Sequence, residues 1–412
     1  MKPVLLIAYH VPPLRGSSGM QRTISLCRHL PDFGYEPLIL TISPRAYPQT
    51  ADDQLDRIAG VPIERAFGLD SARHLAIKGR FLRATSLPDR YVTWSWGGIL
   101  PGLRMIRRHQ PALIWSTFPV ASAHLLGLRL ARLSGLPWVA DFRDSMTEDA
   151  YPPNPVVRRS YRKVEEATVR RCDKATFTAP HAVRMYQERY PDLPAHHWGQ
   201  IANGYDEDVF DAPISDPPGP VDGPITLVHA GILYPSERDP RDFFAAIAEL
   251  RDEGRIKPGD LKVVLRATGS DDYYSELLEK HAITDFIDLA PSVAYRDALA
   301  EMARVEGLLI FQASNCNHQI PAKLYEYFRV RKPILGLTDP EGDTAATLRE
   351  AGVDSIVRLD DKDHIKSGLM DFLDKVRVGR APVPEPEVIE TYSRRAGVKG
   401  FAAIFDEVLA AR

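Results

Sequence analysis

The sequence predicts an α/β protein made of two domains, each a doubly wound parallel sheet with helices on both faces. Short apolar segments without a polar face alternate along the chain with amphipathic segments of helical spacing. This alternation is typical of parallel strands that are buried on both sides and of the helices that cover them. A proline-rich segment interrupts it near the middle of the 412 residues, a length that suits two domains.

The first domain is predicted at residues 1–212. An apolar run at 4–9 forms its first strand, and a turn-rich stretch leads from there into an amphipathic helix at 20–30. The next strand is expected at 36–42. The same cycle then predicts strands at 112–116, 138–142 and 175–178, separated by helices at 121–134 and 156–171.

A linker is predicted at residues 213–224. The stretch 212–224 holds five prolines and two glycines in 13 residues, a composition that excludes a core element. The cycle restarts in a second domain at 225–386, and a last helix within 394–412 is expected to return and complete the first domain. Strands of the second domain are predicted at 225–230, 261–267, 286–289, 307–311, 333–338 and 355–358.

Composition restricts the possible functions. The net charge is −3 and the three cysteines stand far apart, so neither a protein that coats polyanions nor a disulfide or zinc framework is indicated. No apolar stretch approaches the roughly 18 residues that span a bilayer, and the apolar run near the start is far shorter than a signal peptide requires. We therefore expect a cytoplasmic protein that binds no nucleic acid.

The charge is unevenly distributed. Residues 1–212 carry a net charge of +6 and the remainder −9, and the segment Arg73–Arg108 holds eight cations against the single Asp89. Among them lie the aromatic residues Tyr91, Trp94 and Trp96. Basic and aromatic residues mixed in this way suit a surface that meets anionic lipid headgroups. The alternative is a solvated basic face whose aromatic rings turn into the core.

Two motifs follow strands of the first domain. In Rossmann-like sheets ligands bind beyond the carboxyl ends of the strands, so we expect the site in the cleft between the domains. The loop GSSG at 16–19 precedes the first helix, where glycines allow close approach and free N–H groups attract an anion; a plain turn is the alternative. The segment DFRD at 141–144 puts two carboxylates and a guanidinium at a strand end. Its alternative role is an internal ion pair that orders the loop.

A third motif, HAG at 229–231, ends the first strand of the second domain. Gly231 would let a ligand lie against the backbone, and Arg238 follows shortly after it. A guanidinium can bind phosphate oxygens through two donors at once. The alternative is that Arg238 pairs with Glu237 or Asp239 on the surface.

The fourth motif, NHQIPAKLYEY at 317–327, is the most specific. Pro321 suits the first turn of a helix whose N-terminus offers unpaired N–H groups to a diphosphate. Lys323 adds a cation, and Glu326 shares its face of the helix, where it can accept hydrogen bonds from two ribose hydroxyls. The alternative is a salt bridge on a solvated helix, although the flanking apolar residues predict a half-buried one.

The order of these segments resembles that of the GT-B glycosyltransferases, and among them the family 4 group of bacterial surface-polysaccharide enzymes. The stretches that carry the resemblance span nearly the whole chain: YHVPPLRGSSGMQR, WVADFRDS, IANGYDEDVF, HAGILYPSERDPRDFF and IPAKLYEYFRVRKPIL. The resemblance implies the GT-B fold, with the donor bound by the second domain and the acceptor by the first. It also implies transfer of a sugar, with retention, from a nucleotide diphosphate, without a catalytic metal or another cofactor.

Carried over by position, the resemblance implies three groups of site residues. The catalytic residues are Arg238 and Lys323, which contact the diphosphate, and Asp144. The donor-binding residues are Gly16, Gly231, Arg238, Pro321, Ala322, Lys323, Leu324 and Glu326, the last of which holds the ribose. The acceptor-side residues are Ser18, Asp141, Arg143 and Asp144. No metal ligand is implied.

The sequence departs from the family pattern in two places. The family often has a second Glu eight residues before the ribose-binding one, and this chain has His318 there. No lysine closely follows Arg238, where the family has a basic pair. A metal-dependent GT-A enzyme would need an Asp-x-Asp at a strand end; the segment DED at 206–208 has that spacing but lies in a polar loop.

We therefore expect a retaining hexosyltransferase of surface polysaccharide or glycoconjugate biosynthesis. Its donor is a nucleotide sugar. Its acceptor is a glycan or, as the basic segment indicates, a polyprenyl diphosphate sugar at the inner face of the membrane. Two alternatives stay open. A nucleotide-sugar 2-epimerase shares the two-domain fold and needs no acceptor, and the histidine at 318 allows a non-catalytic subunit that binds nucleotide sugar as a scaffold.

Overall fold

The computed structural model describes residues 1–15, 19–76, 85–210 and 213–412. The described chain divides into two compact units. One consists of Met1–Ala202 together with Arg394–Arg412, and the other of Asn203–Ser393. Each unit contains one sheet of parallel strands together with helices. The predicted α/β class with two parallel sheets is confirmed.

The first unit contains a seven-stranded parallel sheet. Its strands are β1 (Lys2–Ile7), β2 (Tyr35–Ile42), β3 (Ile63–Ala66), β4 (Leu113–Thr117), β5 (Trp138–Arg143), β6 (Lys174–Phe177) and β7 (Trp198–Gln200). They lie in the order β3-β2-β1-β4-β5-β6-β7. The sequence pattern does not predict the edge strands β3 and β7, because four and three residues are too few to show a period.

Helices connect these strands. They are α1 (Met20–His29), α2 (Ser71–His74), α3 (Trp94–Gly97), α4 (Ile99–His109), α5 (Ala121–Ser134), α6 (Pro155–Val169), α7 (Pro180–Arg189) and, from the end of the chain, α15 (Arg394–Ala410). α15 packs its apolar face into the core of this unit. Phe401 meets Trp115 edge to face with ring centroids 5.9 Å apart, and Phe405 meets Tyr35 at 5.4 Å. Such pairs add about 0.5–1.5 kcal/mol each to the burial of the rings.

The second unit contains a six-stranded parallel sheet. Its strands are β8 (Ile225–Ala230), β9 (Leu261–Arg266), β10 (Ile287–Ala290), β11 (Gly307–Gln312), β12 (Ile334–Thr338) and β13 (Ile356–Val357). They lie in the order β10-β9-β8-β11-β12-β13. Its helices are α8 (Arg241–Asp252), α9 (Asp271–Lys280), α10 (Tyr295–Arg304), α11 (Lys323–Val330), α12 (Asp343–Glu350), α13 (Lys362–Arg377) and α14 (Pro386–Thr391). Each predicted strand of this unit lies within two residues of an observed one.

A buried ion pair joins α1 to the end of β5. Arg22 donates from Nε and Nη2 to the two oxygens of Asp141, at 2.8 and 3.0 Å. The same guanidinium donates to the backbone carbonyls of Ile201 and Ala202, at 2.9 and 3.1 Å. Arg22 thereby uses its fork of donors on a carboxylate and on the chain that leaves β7.

Asp141 also joins neighbouring strands of the sheet. Its carboxylate accepts hydrogen bonds from the hydroxyls of Thr117, at the end of β4, and of Thr176 in β6, at 3.0 and 2.9 Å. The residue has no exposed surface. Both of its oxygens are therefore taken up by internal partners, which hold β4, β5, β6 and α1 together at one edge of the sheet.

Replacing the carboxylate of Asp141 tests how much it contributes to the stability of the first unit. Asp141→Asn should destabilise the first unit, because the neutral amide leaves the buried guanidinium of Arg22 without its counter-charge. Removing one partner of a buried ion pair costs about 3–5 kcal/mol. Urea unfolding followed by circular dichroism measures the change.

Asp192→Asn is the matched control for this substitution. Asp192 pairs with Arg170 at 2.6 Å on the solvent-exposed surface, where the loss of a charge is screened by water. The control should unfold at the same urea concentration as the wild type. Equal unfolding curves for Asp141→Asn and the control would contradict the structural role of Asp141.

Candidate functional site

The motif residues of the second unit meet where β8 ends and α11 begins. Gly231 follows β8 with a φ of +131°, a conformation that residues with a side chain rarely adopt. A Cβ at this position would overlap Nζ and Cε of Lys323. The lysine side chain therefore lies directly over the glycine backbone, and only glycine leaves room for it.

Lys323 is the first residue of α11, and the helix begins without a side-chain cap. Burial lowers the pKa of the Lys323 ammonium; the nearby Glu326 opposes this shift and the nearby Arg238 adds to it. A desolvated ammonium beside a second cation is stabilised by any anion that reaches it. The arrangement therefore favours a ligand with negative charge.

Arg238 is held in place by the loop that follows β8. Its Nη1 donates to the carbonyl of Ile232 at 3.1 Å, and its Nε lies 3.4 Å from Oε1 of Gln312, the last residue of β11. Asp239 binds Arg241 instead, at 2.7 Å. These two contacts hold one side of the Arg238 guanidinium in place, near Lys323.

Glu326 lies one turn further along α11. Its Oε1 accepts a hydrogen bond from the hydroxyl of Tyr295 at 2.7 Å, and Tyr295 is about half exposed at the start of α10. A carboxylate that already accepts one hydroxyl is suited to accept those of a ribose.

Three further residues that the sequence analysis assigns to the donor lie around the start of this helix; Pro321 was expected in its first turn but precedes it, because α11 begins at Lys323. Pro321 is buried and Ala322 is exposed, and the side chain of Leu324 is completely buried. The N–H of Leu324 donates to the carbonyl of Pro321 at 2.9 Å, so it is used within the turn. Leu324 therefore supports the helix from inside the core.

His229 is the first residue of the HAG motif, and the sequence pattern indicates no role for it. It lies at the end of β8, 2% exposed, and donates from Nδ1 to the carbonyl of Leu309 at 2.9 Å. Burial lowers its pKa to about 3, so the ring is neutral at pH 7. Its Nε2 is buried and has no hydrogen-bond partner in the described part of the chain. Nothing short of the packed structure distinguishes this histidine from an ordinary strand residue.

An open cavity of about 420 Å³ in the second unit is lined by Asp239, Arg241 and Arg358, among others. It is bounded by the loops that follow β11, β12 and β13, the carboxyl edge at which doubly wound sheets bind ligands. Charged side chains on its wall form ion pairs. Asp239 binds Arg241, and Arg358 binds Asp360 at 2.9 Å. Neither Lys323 nor Arg238 lines this cavity.

In the first unit the structure separates the acceptor-side residues. Asp141 is enclosed by its internal partners, as described above. Arg143 and Asp144 lie at the end of β5 and are partly exposed. Asp144 has one long contact, 3.4 Å from the Thr178 hydroxyl. Gly16 and Ser18 lie outside the described residues, so their predicted roles stay predictions.

Arg22 is a further residue that the sequence analysis missed. It sits among the apolar residues of α1 and is buried itself. A lone cation on the buried face of an amphipathic helix was the available signal, since such a charge requires an internal partner. The partner could not be named without the fold.

The basic segment of the first unit divides into two parts. Arg90 is paired with Asp70, and Trp94 is completely buried, as the alternative interpretation expects. Trp96 is 64% exposed, with the guanidinium of Arg129 3.6 Å from its ring centre. Three of the eight cations lie in the range 77–84, outside the described residues.

The segment DED at 206–208 has internal partners. Asp206 accepts the N–H of Asp208 at 3.2 Å, and Glu207 binds Arg329 of α11 at 2.8 Å. Among the described residues no cluster of three or more His, Cys, Asp or Glu has the geometry to hold a metal ion. None of the described helices has the length and apolar content needed to cross a membrane.

Three solved structures share this architecture over almost the entire chain. Sucrose-phosphate synthase from Thermosynechococcus elongatus is 13% identical, with a TM-score of 0.67 and full coverage of both chains. Anabaena Alr3699/HepE in complex with UDP and glucose is 12% identical, with a TM-score of 0.63 over 99% of this chain and 100% of that one. WaaB, a lipopolysaccharide outer core galactosyltransferase in its apo form, is 11% identical, with a TM-score of 0.60 over 98% and 99%.

The sequence itself matches one family model. Residues 18–204 match the glycosyl transferase 4-like domain, whereas no curated protein sequence matches the chain. At 11–13% identity the solved structures establish the fold. The family model lies within the half of the chain that carries the first sheet. Residues 18–204 are thus similar to the glycosyl transferase 4-like domain, and the chain has the fold of the GT-B glycosyltransferases.

Proposed function

We propose that the chain is a retaining, metal-independent hexosyltransferase that moves a sugar from a nucleoside diphosphate sugar to a glycan or lipid-linked acceptor. The observation that carries the proposal is the position of Lys323 over Gly231, with Arg238 and Glu326 close enough to shift its pKa. The two cations and the glycine backbone can bind a diphosphate, and the carboxylate can bind a ribose. The product belongs to surface polysaccharide or glycoconjugate biosynthesis, which the family 4 resemblance supports.

Lys323 and Arg238 stabilise the leaving group. When the bond between the sugar and the diphosphate breaks, negative charge develops on the phosphate oxygens. Lys323 and Arg238 are already desolvated or anchored, so they stabilise that charge without reorganising. This stabilisation grows as the bond breaks and therefore lowers the barrier.

Retention is explained by substitution on one face of the sugar. The bond from the anomeric carbon to the diphosphate breaks, and the acceptor oxygen forms its bond on the same face. The acceptor proton passes to an oxygen of the departing phosphate. We assign to Asp144 the orientation of the acceptor hydroxyl, because its carboxylate is partly exposed and has only a long contact with Thr178.

Nucleotide binding tests the donor site. Calorimetric titration in EDTA with UDP, GDP, dTDP and ADP should show binding of one of them. Lys323→Ala and Glu326→Ala should each weaken it about tenfold to a hundredfold, because each removes a charged hydrogen-bonding partner. The exposed Lys262, which pairs with Asp288 at 2.6 Å in the same unit, supplies the control Lys262→Ala. The control should bind as the wild type does.

The outcomes of this titration separate the possible functions. Failure of all four nucleotides to bind would contradict the proposed donor site. Binding without any turnover on acceptors would favour the scaffold function. Release of a free sugar epimer from the donor alone would favour the 2-epimerase.

Gly231 tests the placement of Lys323. Gly231→Ala should displace the lysine and strain the backbone, lowering nucleotide affinity and costing about 1–3 kcal/mol of stability. Gly254→Ala is the matched control, since Gly254 also has a positive φ, +69°, but no atom within 4 Å of a built Cβ. That variant should keep the nucleotide affinity. An affinity unchanged in a folded Gly231→Ala protein would refute the arrangement.

We also propose that the first unit docks on anionic lipid, as a lipid-linked acceptor requires. Large apolar side chains are exposed beside a row of cations: Phe67 (63%), Trp96 (64%) and Leu100 (67%), followed along α4 by Arg104, Arg107 and Arg108. Leu100, Arg104 and Arg108 recur every four residues, so they share one face of α4. A groove of about 600 Å³ runs between this helix and β3. An apolar end followed by cations suits the interface of a bilayer.

Sedimentation with anionic liposomes tests the docking surface. At low salt the wild type should sediment with vesicles of phosphatidylglycerol, because each cation near such a surface contributes about 1 kcal/mol. Replacing Arg104, Arg107 and Arg108 by Gln should leave the protein in the supernatant. Replacing Arg159, Arg162 and Lys163 of α6 by Gln removes the same charge elsewhere and should not. Wild type that stays in the supernatant would refute the docking.

A further inference from the structure

The strands β8 and β11 are neighbours that part before they end. β8 pairs with β9 along its whole length, up to Ala230. With β11 it pairs only at Leu227 and Val228, although β11 itself continues beside β12 to Gln312. The hydrogen-bond ladder between β8 and β11 therefore stops before β8 ends. The opening lies where the strand order of this sheet reverses, and Gly231 follows it directly.

A tyrosine side chain takes up the donor that the interrupted ladder leaves. The N–H of Gly231 donates to the carbonyl of Arg266 in β9 at 2.8 Å, so the N–H of the preceding Ala230 faces β11. There it donates to the hydroxyl oxygen of Tyr327 at 3.0 Å, and not to a carbonyl of β11. Tyr327 has no exposed surface. Burial raises the pKa of its hydroxyl, which therefore stays neutral.

A histidine side chain takes up the acceptor. The carbonyl of Leu309 in β11 would receive the N–H of Ala230 if the ladder continued. It accepts a hydrogen bond from Nδ1 of His229 instead, at 2.9 Å. An unpaired backbone group in the interior costs about as much free energy as a lost hydrogen bond. The opening between the two strands is therefore stable only while Tyr327 and His229 satisfy both groups.

Tyr327 shares one face of α11 with Lys323, because the two residues are four apart. The lysine side chain lies over Gly231, and the tyrosine hydroxyl holds the N–H of Ala230, the residue before it. One helix face thus contacts two consecutive residues at the end of β8. The hydrogen bond of Tyr327 sets how far the Lys323 ammonium lies from the glycine backbone.

We propose that Tyr327 and His229 are positioning residues of the donor site, which keep β8 and β11 apart and hold Lys323 over Gly231 in the geometry that binds a diphosphate. This inference rests on the proposed function and adds two residues to its site. Neither side chain has to touch the nucleotide. Their effect on nucleotide binding passes through Lys323.

Tyr327→Phe removes the hydroxyl and keeps the ring. Calorimetric titration with the nucleoside diphosphate that the chain binds should show an affinity about tenfold lower, because the N–H of Ala230 loses its partner and the helix contact loosens. The same substitution is then made in Lys323→Ala. There it should change the affinity by less than about twofold, since the lysine that it positions is gone.

Tyr186→Phe is the matched control. Tyr186 is completely buried in the first unit, and its hydroxyl also accepts a backbone N–H, that of Met146 at 2.9 Å. It donates to Glu165 as well, at 2.8 Å. The control should therefore lower the unfolding temperature at least as much as Tyr327→Phe does, and it should keep the nucleotide affinity. An equal loss of affinity in the control would show general loosening and overturn the inference.

His229 supplies a second pair of variants, which decides the inference if Tyr327→Phe does not fold. His229→Leu removes the donor to the Leu309 carbonyl and should weaken nucleotide binding. His229→Asn can place an amide N–H where Nδ1 stands, so it should restore most of the affinity. Equal affinities of the two variants would overturn the role of His229, because the hydrogen bond is what distinguishes them.

The remaining outcomes are equally decisive. An unchanged affinity in a folded Tyr327→Phe protein overturns the inference, and so does the same loss in the Lys323→Ala background. If no nucleoside diphosphate binds to the wild type, the proposed function fails by itself. The rate at which an amine reagent labels Lys323, followed by mass spectrometry, then tests the positioning. Faster labelling in Tyr327→Phe than in the wild type and Tyr186→Phe supports it, and equal rates overturn it.

Discussion

The buried pair between Arg22 and Asp141 is the interaction on which the carboxyl edge of the first sheet depends. The carboxylate joins α1 to three neighbouring strands, and Phe401 of α15 packs against the guanidinium, 4.9 Å from the ring centre. Neither charge can leave without exposing the other to an apolar interior. Gly19 lies three residues before Arg22, and Arg143 lies two residues after Asp141. The ion pair therefore fixes the start of α1 relative to the end of β5.

The two units carry the same physical device in different forms. In each, a cation with a lowered pKa lies against the backbone of a glycine: Lys323 over Gly231, which follows β8, and Arg143 beside Gly19, which precedes α1. Desolvated cations destabilise the unliganded fold, and the internal ion pairs and the apolar cores compensate for them. An anionic ligand restores the missing charge. The desolvated cations that destabilise the unliganded fold are thus the ones that the proposed reaction needs as preorganised positive charge.

Sequence reasoning was most accurate for elements whose residue pattern has a single structural explanation. Buried parallel strands have no polar face, so their apolar runs identify them, whereas the short edge strands β3 and β7 carry no such pattern. The helix of the fourth motif was predicted to begin at Pro321 and begins two residues later, at Lys323. Arg22 was missed, because a buried polar side chain is explained only by its partner. Trp94 and Trp96 lie two residues apart, yet one is buried and the other is 64% exposed.

Local pattern alone therefore establishes two parallel α/β sheets, their longer strands in order and the motifs at the strand ends, because period and turn chemistry act over a few residues. Tertiary structure alone decides which of those polar groups are consumed inside the fold. Asp141 and Arg143 belong to one motif, yet the first is enclosed by Arg22, 119 residues away in the chain, whereas Nε of the second has no hydrogen-bond partner among the described residues. Charge compensation is a property of positions in space, and the chain brings those positions together only when it folds.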